Sequence, residues 1–366
     1  MTGVNTSPPV VVVTHFPSPY QVELFNEIER QNPGLLQVFY LVRKVTTRSW
    51  RGIDVTHACG YLDGGAKDLA TARSAMHDAE CVIFNYYNDA RAAELIRARA
   101  EIDRPWCFWG ERPGYRHPLL ARAARLGRLT ALRVGRQPIW GIGRWAVEAY
   151  RREFGTGRDY LNLPYYSNLS RFQALAPKYA DDHVTLLFSG ALSHRKGIEL
   201  LAAAFVRLAA ENTRVRLKIM GTGPMEPRLR RMLASCDRVE WVGFKDWDDL
   251  PGVYESAHVL VVPSRHDGWG LVVPEGLAAG LPTIATDRTG AALDFIETGR
   301  NGWLVPADDG AALFRAIKQA VSLTETDWLA MGRSARDSIA NHTLAAGAAR
   351  FRQGVADAIA VTGVRA

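Results

Sequence analysis

Two carboxylates, Asp267 and Glu275, stand eight positions apart in the stretch SRHDGWGLVVPEGLAAGLP (residues 264–282), across a glycine-rich turn with a small-residue helix behind. Carboxylates accept hydrogen bonds from vicinal hydroxyls, so Asp267 suits a sugar and Glu275 a ribose. Gly268 and Gly270 let the backbone come close to a ligand, Trp269 between them is placed to close one side, and Leu271 follows. A helix opening at Pro274 or Glu275 would aim its positive end at a diphosphate. The plain alternative is that the two acids are only the polar ends of a buried βα unit. A second stretch, FSGALSHRKGIELL, ends a strand at Gly190 and opens a helix at Gly197, with Arg195 and Lys196 between. Arginine forks onto two phosphate oxygens and lysine supplies a point charge, although two exposed basic residues in a loop would read the same way. MGTGP, with Gly221 and Gly223, is a further strand-to-helix glycine turn, a weak signal by itself. Cations, a helix end and sugar-gripping carboxylates together say more than any one of them.

Other residues carry less. His15 ends the first strand and suits orientation of an acceptor hydroxyl, or is simply a turn histidine. Glu111 and Arg112 follow PWCFWG, whose Trp106, Phe108 and Trp109 read as core before they read as a sugar platform. In KDWDD, Asp246-Trp247-Asp248 has the form of a metal-binding triplet, yet acids ahead of LPGVYESA suit a helix N-terminus. No HExxH or comparable spacing occurs among the nine histidines, so no protein-bound metal is expected. The four cysteines, Cys59, Cys81, Cys107 and Cys236, are scattered, as reduced cytoplasmic thiols are.

These residues must be held by elements, and the elements alternate. In 366 residues two domains are expected. Strand-like runs at 9–15, 36–42, 81–86, 105–110 and 129–134 precede a connector near 166, LNLPYYSN. A second series follows at 184–190, 214–221, 238–243, 258–264 and 282–286, with helical stretches between and a wholly helical tail from 325 to 362. This is the pattern of two doubly wound α/β domains, whose ligands sit at the carboxyl ends of the strands. The expected boundaries are 1–166, joined by the last helix (346–366), and 167–345. No run of 18 apolar residues suggests a membrane span, and the amino-terminal segment lacks the pattern of a secretory leader.

The net charge of +7 is concentrated. Between 111 and 158 stand eleven arginines (112, 116, 122, 125, 128, 133, 136, 144, 151, 152, 158) against three acids, Glu111, Glu148 and Glu153. HPLLARAARLGRL places Leu119, Leu120, Ala123, Leu126 and Leu129 roughly on one helical face, with Arg122, Arg125 and Arg128 elsewhere. That suits a helix lying on an anionic bilayer, or an ordinary surface helix. Nucleic acid is not expected as a partner, since no aromatic-and-basic RNA signature or helix-turn-helix pattern is present.

The second half resembles the retaining glycosyltransferases of the GT-B fold usually numbered family four. The resemblance rests on Gly190-Ala-Leu192-Ser-His-Arg-Lys196-Gly197, on Gly221-Thr-Gly223, on Val239 to Gly243, on Asp267 and Glu275 in place of two glutamates separated by seven residues, and on GAALDFIETGRNGWLV. It implies two Rossmann-like domains facing a central cleft, with a nucleotide-sugar donor in the second, an acceptor in the first, reaction between them, and the carboxy-terminal helix crossing back to the first. It implies that Arg195 and Lys196 neutralise the diphosphate leaving group and that Asp267 holds the transferred sugar. Backbone from Trp269 to Leu271 would touch sugar or phosphate, Glu275 the ribose, and Val242, Gly243 and Phe244 the base. It also implies retention of configuration with no metal or cofactor, the acceptor being a glycan or a lipid-linked glycan at the inner face of the cytoplasmic membrane. The chain departs from the family at Ala191, where arginine is common and Arg195 stands in, and at Asp267, one methylene short. A non-catalytic nucleotide-sugar-binding protein, a sugar-nucleotide epimerase or a phosphorylase are the alternatives on the same fold, the last without its cofactor-lysine signature.

Overall fold

A computed structural model of the chain describes residues 9–45, 53–113, 118–176 and 182–363. It divides into two compact units, Met1–Asn168 with His342–Ala366, and Leu169–Asn341.

The first unit is built on seven strands: β1 Val10–Thr14, β2 Leu36–Tyr40, β3 Ala58–Tyr61, β4 Cys81–Phe84, β5 Trp106–Gly110, β6 Ile139–Gly141 and β7 Tyr160–Asn162. They pair in parallel in the order β3-β2-β1-β4-β5-β6-β7. The run VVVVT is buried at every position because a central parallel strand is covered on both faces. Strands β3, β6 and β7 were not expected from sequence: they are three or four residues long and hold no run of β-branched residues. The strand expected at 129–134 is instead a helical turn, Thr130–Val134. Its buried residues, Leu129 and Leu132, lie three apart, while Val134 is 83% exposed, which is helical spacing and not alternation.

The second unit holds β8 Val184–Ser189, β9 Val215–Met220, β10 Val239–Gly243, β11 Val259–Val262, β12 Thr283–Thr286 and β13 Gly302–Val305. They too are parallel, in the order β10-β9-β8-β11-β12-β13. The strand order reverses between β8 and β11, so the connections leaving their carboxyl ends diverge and leave room for a ligand.

The helical tail is broken. Helix Glu325–Ile339 ends the second unit, and Leu344–Gly363 belongs to the first, where it lies along helix Pro19–Gln31. At the break, His342 is buried, with Nε2 donating to the Tyr165 carbonyl at 3.0 Å and its ring stacked 4.2 Å from Tyr166. Thr343 Oγ1 accepts from the Ala346 amide at 3.1 Å, starting the new helix. Among the described residues no helix is long and apolar enough to cross a membrane.

Candidate active site

Four strand-end loops of the second unit meet at the reversal point. Beyond β8 the chain forms a single 3-10 turn, His194–Lys196, before helix Ile198–Glu211. Beyond β9 comes the Gly221–Gly223 turn, pressed on the first: a Cβ on Gly221, whose φ is +129°, would lie 2.0 Å from the Gly190 carbonyl oxygen. The Gly221 amide donates to the Gly243 carbonyl at 2.7 Å, which ties in the end of β10. There a register irregularity between Trp241 and Gly243 leaves Val242 out of the pairing and is followed by Phe244, 40% exposed. The exposed ring leaves an aromatic face open next to the glycine turn.

The fourth loop, after β11, carries Asp267. It is stitched to the loop after β12: the Asp267 amide donates to the Arg288 carbonyl at 2.8 Å and the Gly290 amide to the Asp267 carbonyl at 3.1 Å. Gly270, at φ +86°, is required here, because a Cβ would meet Thr289 Cγ2 at 2.6 Å. The Asp267 carboxylate is buried and accepts from Lys196 Nζ, with Arg195 Nη1 at 3.8 Å from its other oxygen. Burial alone would raise its pKa, but the Lys196 and Arg195 cations outweigh that and hold it below the usual aspartate value. Lys196 is mostly buried, whereas Arg195 is 40% exposed and also donates from Nη1 to the His266 carbonyl at 2.9 Å. A buried carboxylate and a half-open pair of cations thus share one site.

Glu275 belongs to a different hydrogen-bond set. It is 3% exposed, and its Oε2 accepts from the Tyr254 hydroxyl at 2.7 Å, both side chains being buried. Burial drives the Tyr254 hydroxyl pKa well up, and the neighbouring carboxylate adds to this. Its helix opens at Val272, not at Pro274 or Glu275, and spans only Val272–Ala278, so its dipole is that of two turns. Trp269 also corrects the expectation: its indole is 2% exposed and packs edge-on against Phe295 at 5.8 Å. The side chain is core and leaves only backbone to a ligand. The acids of KDWDD precede the turn Trp247–Asp249 and helix Leu250–Glu255, but neither Asp246 nor Asp249 makes a side-chain cap bond. Arg171 lies over the Trp247 ring at 4.6 Å. Among the described residues no three His, Cys, Asp or Glu side chains gather as metal ligands.

In the first unit, a hydrogen-bonded set of neutral groups occupies the ends of β1, β4 and β5. Gln21 Nε2 donates to Asn85 Oδ1 at 2.6 Å, Thr14 Oγ1 donates to the same oxygen at 2.9 Å, and Asn85 Nδ2 donates to the Trp109 carbonyl at 2.8 Å. His15 lies beside this set, its ring stacked on Tyr86 at 4.2 Å and 5°. Burial lowers its pKa, with Asp89 opposing and Arg91 assisting. Glu111 is exposed, and its carbonyl accepts from the Tyr150 hydroxyl at 2.8 Å. The Arg112 guanidinium lies 3.8 Å over the Trp145 ring. Trp106, Phe108 and Trp109 are all core.

The basic strip is not arranged as the periodicity implies. In helix Pro118–Arg128, Leu119 and Leu120 are 79% and 73% exposed while Leu129 is fully buried, so the apolar residues do not share one environment. Arg125 points inward and forms a two-oxygen ion pair with Glu153, both groups below 10% exposure. Arg116 lies outside the described residues.

Residues that the sequence did not single out belong to these two separate sets: Arg265, Glu199, Tyr254, Thr289 and Asp308 in the second unit, and Thr14, Gln21 and Asn85 in the first. Arg265 stands inside SRHDGWG, yet its side-chain partners are 43 and 66 residues away, beyond any local signal.

Residues 183–322 match the family described as glycosyl transferases group 1. A glycosyltransferase of Escherichia coli strain K12, WcaL, whose name places it in colanic acid biosynthesis, is 28% identical over 172 residues, 44% of this chain and 42% of that protein. The chain thus matches about two fifths of the length of the curated relatives. In fold, it is similar to Anabaena Alr3699/HepE solved with UDP (TM-score 0.76, 14% identity, 95% of this chain and 99% of that one). It is equally similar to sucrose-phosphate synthase from Thermosynechococcus elongatus (TM-score 0.77, 19% identity, 97% of this chain and 100% of that one).

Proposed function

We propose, from the match of residues 183–322 to the group 1 glycosyl transferases and from the GT-B fold of the chain, that the protein is a retaining, metal-independent glycosyltransferase. Its donor is a nucleotide-diphosphate sugar, UDP- or GDP-linked. Its acceptor is a glycan or lipid-linked glycan of the kind assembled into a surface polysaccharide. The observation that carries this reading is the Lys196–Asp267 pair, with Arg195 at its open side, where glycine turns from β8 and β9 meet.

The donor's diphosphate enters beside Lys196 and Arg195, and the sugar presents its hydroxyls to Asp267, which is already ionised to accept them. The base stacks near Phe244, and Glu275, held by Tyr254, takes the ribose. The bond from the anomeric carbon to the phosphate oxygen breaks, its electron pair staying on that oxygen. The acceptor oxygen bonds to the same face of the carbon and passes its proton to the departing phosphate. Charge builds up on the diphosphate, so cations fixed there in advance lower the barrier most. His15, Glu111 and Arg112 are the acceptor-side candidates. The exposed Leu119, Leu120 and Val134 with the arginines around them suit an anionic lipid surface, and on this reading the enzyme works at the cytoplasmic face of a membrane.

Thermal-shift binding against UDP-, GDP-, ADP- and dTDP-sugars tests this on the wild type and on Asp267→Ala, Glu275→Ala and Lys196→Ala. One nucleotide should raise the melting temperature, and each substitution should weaken that rise. A panel in which no nucleotide sugar shifts melting refutes the reading.

A further inference from the structure

We propose that Arg265 is the positioning residue of this site: one guanidinium sets where Lys196 stands relative to Asp267. The proposal rests on the donor reading above and deepens it. The Arg265 side chain is 12% exposed and reaches two other loops from its own. Nη1 donates to the His194 carbonyl at 2.6 Å and to Glu199 Oε1 at 2.5 Å, on the connection after β8. Nε donates to Asp308 Oδ1 at 2.5 Å, on the connection after β13. The Arg265 backbone amide donates to the Arg195 carbonyl at 2.9 Å. Residue 265 therefore holds two consecutive carbonyls, those of His194 and Arg195, in the short turn that carries Lys196.

Glu199 is buried, and its second carboxylate oxygen has no hydrogen-bond partner among the described residues. Arg265 is thus the main counter-charge of a carboxylate that would be costly to bury alone; His194 stands 3.8 Å away and is itself open to solvent. Asp308 is held at φ +64°, a left-handed conformation that aspartate tolerates better than most residues. Serving a carbonyl and two carboxylates from one side chain needs the planar, multi-donor fork that lysine lacks. The Asp267 backbone is fixed independently, through Arg288 and Gly290. Loss of the Arg265 side chain therefore leaves the Asp267 backbone in place and releases the His194 carbonyl and Glu199, loosening the turn that carries the cation to its one remaining bond, from the residue-265 amide to the Arg195 carbonyl.

The test is a double-substitution cycle of Arg265→Gln and Arg265→Lys with Lys196→Ala. Affinities for UDP and GDP are measured beside those for uridine and guanosine, with melting temperatures as a control. In the wild-type background Arg265→Gln should weaken the preferred nucleoside diphosphate about ten-fold and leave the nucleoside unchanged. In the Lys196→Ala background the same change should have a much smaller effect, limited to what the turn passes on through Arg195. An equal loss in both backgrounds, or a parallel loss for the nucleoside, would make Arg265 a merely structural residue and overturn the proposal. If Arg265→Gln does not fold, Arg265→Lys, which keeps a charge beside Glu199, decides the cycle by the same criterion. Wild-type protein that binds neither UDP nor GDP refutes the donor reading itself, a result distinct from normal wild-type binding unaffected at Arg265.

Discussion

Beside Glu111 and Arg112, which follow β5, the hydrogen-bonded network at the carboxyl ends of β1, β4 and β5 is neutral: Thr14, Ser18, Gln21 and Asn85 trade hydrogen bonds among amides and hydroxyls. At the ends of β8, β11 and β13 they are charged: Arg195, Lys196 and Arg265 face Glu199, Asp267 and Asp308. Both sheets are parallel and reverse their strand order at the same kind of place, between β1 and β4 and between β8 and β11. The fold therefore supplies the location twice, and side chains alone make one location suited to an anionic leaving group. Amides and hydroxyls are weak partners for a diphosphate and good partners for neutral hydroxyls. The family match begins at residue 183 and stays within the second unit, the one that carries the charged set.

The largest effect should come from the charged end. Lys196→Ala removes the buried cation beside Asp267 and, on the proposed mechanism, should lower kcat by about 10²–10³, the range for deleting one preorganised electrostatic group. Transfer assays under donor saturation measure it, and an unchanged kcat would remove the basis for contrasting the two ends.

Acid should separate the units next. His57 and His342, both in the first unit, have pKa values lowered by burial from 6.5 to about 4. Each is held neutral, His57 between the Tyr40 hydroxyl at 2.9 Å and Asn26 Oδ1 at 2.7 Å. Below 6.5 the unfolded chain takes up protons that the folded one refuses, so stability present at neutral pH is lost as pH falls towards 4, by at most roughly 3 kcal/mol per histidine. Asp267 works at lower pH: its depressed pKa contributes stability that is lost only as pH falls below the ordinary aspartate value of 3.8. The first unit should thus melt at the higher pH, and His57→Gln with His342→Gln should flatten its profile between 6.5 and 4. A profile that the double variant leaves unchanged contradicts this assignment.

Asn85→Ala sharpens the contrast from the neutral side. It leaves the Gln21 amide and the Trp109 carbonyl without their partner, at a cost of about 1–3 kcal/mol in unfolding experiments. Nucleotide affinity should not change, and a loss resembling that of Lys196→Ala would mean that the two networks are not separate. The smallest effect on stability is expected from Leu119→Ser with Leu120→Ser, within about 0.5 kcal/mol because both side chains are already exposed. Sedimentation with vesicles rich in phosphatidylglycerol should fall all the same; retention equal to that of wild type argues against a lipid surface there.

Much of this molecule is written locally. The alternation of apolar runs with helical periods specifies two parallel sheets, glycine marks the strand ends of the second unit, and Arg195, Lys196, Asp267 and Glu275 can be picked out by type and spacing. Local pattern fails where an element is too short to show a period, as at β6 and β7, or where spacing fits either state, as at Thr130–Val134. The partners are another matter. Glu275 meets Tyr254 from 21 residues away, Gln21 meets Asn85 from 64, and Arg265 meets Glu199 from 66. Trp269, flanked by glycines that suggest an open loop, turns into the core. Side-chain periodicity records how a segment covers its own sheet, and sequence order alone does not state which strand lies beside which. Only the assembled order β10-β9-β8-β11-β12-β13 brings the loops after β8, β11 and β13 within reach of one guanidinium.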